Sequence, residues 1–181
     1  NMGYAYTELE SEKETIAIVT SQQVPGFFVN RTSYPGEPYF SNFFKTPVKL
    51  RKGTNRILVK FAGKYHRKFR FSIAPTSKQA IFLDDFTYPD LIKGSPEREY
   101  PLGVTVLNTL DEWLRDAKIV INGEPRLLRN EFLVDAVPPL GLVKMPIILK
   151  FEVPQEKDVD IILKLATDRI LDRRELRLEA K

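Results

Sequence analysis

Leu50 to Phe61, read LRKGTNRILVKF, is the stretch whose reading decides the fold. A short apolar-basic approach meets a turn at Lys52-Gly53-Thr54-Asn55, after which Ile57, Val59 and Phe61 alternate with Leu58 and Lys60. A period of two behind a glycine turn predicts a half-buried strand, because successive side chains of a strand point to opposite faces. Nothing in the stretch resembles a reaction centre.

The same pattern extends outward in both directions. Tyr4, Tyr6 and Glu8 mark a first strand, Thr15 to Thr20 a second, Phe27 to Val29 a third and Pro47 to Leu50 a short one before the glycine turn. Ile57–Phe61 and Phe69–Ile73 read as a hairpin with Phe69, Phe71 and Ile73 facing inward. Between Asn30 and Lys45, Pro35, Gly36 and Pro38 exclude helix and argue for an irregular segment. Pro75-Thr76-Ser77 is the best boundary, a proline and small polar residues closing an alternating strand. Beyond it Ile81–Leu83, Gly103–Thr109, Lys118–Asn122, Glu131–Val134, Met145–Val153 and Val159–Leu165 read as strands at the spacing of a sandwich, with a turn-rich passage from Asp84 to Pro101. Asp168 to Lys181 fits a charged helix or a final strand, and the strand closes a sandwich better.

Composition narrows the chemistry. A hydrophobic fraction of 43% over 181 residues supports real cores, and 28 basic against 24 acidic residues give a mild +4 that does not demand nucleic acid. With no cysteine there are no disulfides, thiolate metal sites or cysteine nucleophiles. No run of about 18 apolar residues offers a membrane-spanning helix. With no signal-peptide pattern ahead of a strand that opens within a few residues of Asn1, the chain reads as cytoplasmic or as an excised segment of something larger, and the early strand favours the segment.

Residues 4 to 73 resemble the galactose-binding-like β-sandwich found as an accessory domain in large bacterial hydrolases. Phe28-Val29-Asn30 ahead of Pro35-Gly36-Glu37-Pro38-Tyr39 carries the first part of the likeness. Thr46-Pro47-Val48-Lys49-Leu50, leading through Arg51-Lys52-Gly53-Thr54-Asn55 into Ile57-Leu58-Val59-Lys60, carries the second. Arg31 departs from the pattern, since the family usually has glycine after Asn30. Gly53 would take a positive-φ turn that Asn55 closes through its side chain. The resemblance implies an all-β chain of two sandwiches, a galactose-binding-like jelly roll over 1–76 and an immunoglobulin-like domain over 77–181. It also implies a non-catalytic accessory module of a larger exported bacterial hydrolase, periplasmic or extracellular, structural or weakly carbohydrate-binding. Its partners would be other domains of the same polypeptide, with no cofactor. An adhesion or assembly module acting through protein contacts is the alternative, ahead of a small hydrolase.

Two clusters are candidate sites. Sugars stack their C–H faces on aromatic rings, so Tyr34, Tyr39 and Phe40, rimmed by Asn30, Glu37 and Asn42, are the carbohydrate candidate. Lys64, Tyr65, His66, Arg67, Lys68 and Arg70 form the strongest basic cluster, suited to an anionic ligand. Nucleic acid ranks below an anionic glycan there, because Tyr65 alone is free to stack. His66, the sole histidine, has no nucleophile in a catalytic setting, and three cations beside it disfavour a proton or metal. Asp84-Asp85 and Asp111-Glu112 are adjacent pairs that diverge along an extended chain, and Trp113 is a loop anchor.

Overall fold

The computed structural model describes residues 2–39, 41, 44–62, 68–95, 99–124 and 126–181. Every regular element among them is a strand. The chain divides into two compact units, Asn1–Ser77 and Lys78–Lys181.

The first unit holds β1 (Met2–Ser11), β2 (Thr15–Gln22), β3 (Gly26–Val29), β4 (Thr32–Pro35), β5 (Lys45–Leu50), β6 (Gly53–Ala62) and β7 (Arg70–Pro75). They form two antiparallel sheets, one ordered β1-β6-β3-β4 and the other β5-β2-β7. Ala17 and Val19 of β2, Val48 and Leu50 of β5, Phe27 and Val29 of β3, and Ile57 and Val59 of β6 make one buried cluster. The alternation read from Ile57 to Phe61 holds for Ile57 and Val59, which are buried while Leu58 and Lys60 are not; Phe61 is only partly buried.

Two expectations are corrected. Ile57–Phe61 and Phe69–Ile73 do not form a hairpin: β6 pairs with β1 and β3, whereas β7 pairs with β2 in the other sheet. The period of two is the same whichever sheet a strand joins, so periodicity alone could not separate the cases. Phe71 and Ile73 pack on the core, but Phe69 precedes β7, is 38% exposed, and stacks on Phe61 with ring centroids 4.5 Å apart. The segment read as irregular also contains β4, paired with β3 through a two-residue turn at Asn30-Arg31.

The second unit holds β8 (Ala80–Phe82), β9 (Glu99–Asn108), β10 (Lys118–Glu124), β11 (Glu131–Leu133), β12 (Leu142–Lys150), β13 (Val159–Ala166) and β14 (Ile170–Leu178). One sheet runs β11-β10-β13-β14 and the other β12-β9-β8. Its core joins Phe82, Leu102, Val104 and Val106 to Ile119, Ile121, Ile147, Leu149, Leu163 and Leu165. The tail is a strand, with Leu176 and Leu178 in that core. Proline is accommodated where it withholds no needed hydrogen bond: Pro47 and Pro146 lie on the edge strands β5 and β12.

Candidate functional site

The carbohydrate candidates grow out of the β3–β4 turn and the loop after it. Asn30 (φ 50°) and Arg31 (φ 76°) are both left-handed, as a two-residue turn matching the twist of its strands requires. Asn30 Nδ2 donates to Asn55 Oδ1 at 2.6 Å, and its own Oδ1 accepts from the Arg56 N–H at 2.9 Å. Asn55 is fully buried; its Nδ2 donates to the carbonyls of Arg51 and Gly53, each at 2.9 Å, and its Oδ1 accepts from the Arg51 N–H. With Gly53 at φ 88°, this is the turn closure expected from the sequence.

Glu37 is 3% exposed, and its carboxylate accepts from the N–H groups of Tyr39 (2.5 Å) and Ser41 (3.2 Å). Its side chain therefore organises the loop's own backbone. Gly36 lies so close to Val24 that a Cβ there would come within 2.0 Å of the Val24 carbonyl oxygen. Tyr34 is half-buried and stacked on Phe27 at 5.4 Å, part of the core's packing. Tyr39, on the same loop, is 73% exposed. Phe40 and Asn42 lie outside the described residues.

Of the basic cluster, Lys68 and Arg70 are exposed. Lys64, Tyr65, His66 and Arg67 lie outside the described residues. The acidic pairs do not converge. Asp84 accepts from Arg174 at 3.3 Å, whereas Asp85 meets Lys144 at 3.5 Å; Asp111 and Glu112 are exposed. Trp113 is half exposed with the Arg115 guanidinium over its ring. Among the described residues no three of His, Cys, Asp or Glu gather to hold a metal ion, and no helix is long and apolar enough to cross a membrane.

Two concavities in the second unit were not singled out in the sequence. The first, about 620 Å³, is floored by Pro101, Gly103 and Pro146 and walled by Tyr88, Pro89 and Ile92. Tyr88 and Ile92 are each more than half exposed. Burial and then the Asp84 charge raise the Tyr88 phenol above its ordinary pKa, so it stays protonated. Tyr88-Pro89 and Ile92, apolar residues inside a turn-rich passage, were the available signal. The second, about 1010 Å³, is polar: Asn122, Glu124, Asp158, Asp160 and Arg177 line it. There the Ala180 N–H, then the Arg177 guanidinium, hold the Asp158 carboxyl below the usual carboxylate range.

No protein-family model and no curated protein sequence matches the chain. Solved structures resemble its fold. A GH2 β-galacturonidase from Eisenbergiella tayi bound to glycerol aligns with TM-score 0.52 at 14% identity, over 99% of this chain and 35% of its own. The structure of a GH2 β-galacturonidase from the same organism bound to galacturonate gives 0.50 at 16%, over 98% and 35%. A calcium binding mutant of Bacteroides uniformis β-glucuronidase 2 gives 0.50 at 9%, over 99% and 26%. The chain therefore spans about a third or less of these structures' length. Such identities speak for the fold alone.

Proposed function

We propose that this chain is a non-catalytic accessory part of a larger glycoside hydrolase, exported by a bacterium to the periplasm or beyond. On this reading residues 1–76 are a galactose-binding-like jelly roll and 77–181 an immunoglobulin-like sandwich, with the other domains of the polypeptide as partners. The observation that carries it is the span: 98–99% of this chain aligns with about a third of each of these GH2 structures. In support, the described side chains of the candidate loop are mostly engaged in holding the fold: Asn30 and Asn55 on each other, Glu37 on its own loop, Tyr34 on Phe27. A two-carboxylate glycosidase needs converging acids, and Asp84 and Asp85 turn to separate cations. The purified chain should release no product from a panel of aryl glycosides and aryl esters above the buffer rate. Turnover that survives repurification would refute the non-catalytic assignment.

A second reading, an assembly module, is favoured by the outer face of the β1-β6-β3-β4 sheet. There Tyr6, Leu58, Phe28 and Ser33 stand in one cross-strand row, with Tyr4 beside it, and Tyr4, Tyr6 and Phe28 are all exposed. Exposed apolar surface of this kind marks contact sites. Sedimentation velocity separates the readings: a concentration-dependent dimer abolished by Phe28→Glu favours assembly, and a monomer at all concentrations removes self-association.

A further inference from the structure

We propose that the 620 Å³ trough of the second unit binds a neutral glycan, with Tyr88 as its stacking platform. This deepens the accessory-module reading and rests on it only for the class of polymer. Its volume lies within the ~300–1,000 Å³ typical of small-ligand sites, and its surface combines apolar walls with a few fixed polar groups.

The charges on its rim decide the ligand. Lys144 is held by Asp85 at 3.5 Å, Glu99 by Lys150 at 2.5 Å and Asp90 by Lys181 at 2.7 Å. Each rim ion is thus positioned and neutralised by a partner. It retains hydrogen-bonding capacity and, counted over the described residues, leaves little unbalanced charge to attract a charged ligand. A polyhydroxylated, uncharged ring suits that combination, its C–H face on Tyr88 and Pro146 and its hydroxyls toward Asp90, Glu99 and Lys144.

An extended peptide does not suit it. Pro101 and Pro146 have no N–H to give, and from Glu99↔Lys150 to Gly103↔Pro146 the groups that β9 and β12 turn toward each other are taken up by their ladder. The N–H and carbonyl of Gly103 are both bonded to Thr87. Strand addition, which relies on free main-chain groups, is therefore weakened at Pro101, Gly103 and Pro146.

The test is affinity electrophoresis of the intact chain in gels containing galactan, xyloglucan, galactomannan or polygalacturonate. Retardation by at least one neutral polymer is expected, unchanged near ~1 M salt, where electrostatic attraction is screened within about 3 Å. Tyr88→Ala should weaken it by about tenfold or more, and Ile92→Ala should weaken it measurably. Both side chains are about half exposed, so the melting temperature should change little. Tyr39→Ala should leave binding intact. Retardation that survives both trough variants overturns the proposal, as does loss with Tyr39→Ala, which returns binding to the first unit. Retardation confined to polygalacturonate and abolished by salt also overturns it. No retardation by any polymer overturns it too, yet leaves the non-catalytic assignment to its own hydrolysis assay.

Discussion

Asn55 ties three stretches of chain with one amide: the Arg51–Gly53 turn, the β3–β4 turn through Asn30, and its own strand β6. Being fully buried, it has no water to replace those partners. Asn55→Ala should therefore cost about 2–3 kcal/mol, read as a fall in the urea midpoint without a change in slope. Asn30→Ala combined with it should show coupling of about 1 kcal/mol; strict additivity would mean the Asn30–Asn55 bond contributes nothing. Arg31 is the reverse case. A side chain at φ 76° is strained, and glycine would relieve about 1–2 kcal/mol while adding about 0.5–1 of unfolded-chain entropy. Arg31→Gly should thus raise the urea midpoint by the equivalent of about 0.5–1 kcal/mol.

At the scale of elements, β14 is fastened at both ends by carboxylates. Asp172, buried beside the bulge between Leu165 and Ala166, accepts from the Phe82 N–H at 2.9 Å and from Lys78 at 2.7 Å, joining β14 to β8. Asp158 holds the other end through Ala180 and Arg177. Because folding lowers the Asp158 pKa, its contribution is present above the unfolded value of about 3.9 and is lost as pH falls through the depressed folded value. Asp158→Asn should melt below the parent near neutral pH, and the gap should close toward ~pH 2; a gap independent of pH would remove the carboxylate from the account. Strands such as β2, β6, β10 and β13 were legible because alternation is written into them. Their partners were not: β6 and β7 carry the same period yet enter different sheets. The β4 hairpin was hidden because Arg31 occupies a position where glycine would have announced a turn. Around the candidate site, Tyr39 and the buried Asn55 could be anticipated from the loop and motif. The trough could not, since it joins residues 87–92 to strands whose register only the folded chain defines.

For the molecule as a whole, the two cores share no residue. Phe27 and Phe82 are fully buried in one each, and removing either ring should cost about 3–5 kcal/mol. In calorimetry Phe27→Ala should lower one transition and Phe82→Ala the other; equal movement of all the heat absorption by either variant would show the units unfolding together. The pairing order also carries a consequence for the chain as it is made. Ser11 pairs with Gly53 and Met2 with Ala62, so β1 has no partner until β6 has been synthesised. At ~5–20 residues per second that interval is roughly 2–12 s, during which a nascent strand bearing Tyr4 and Tyr6 stands open to any other unpaired edge. Slowing translation within residues 12–52 should therefore increase co-translational aggregation, whereas slowing it late in the second unit, when β6 has long been available, should not.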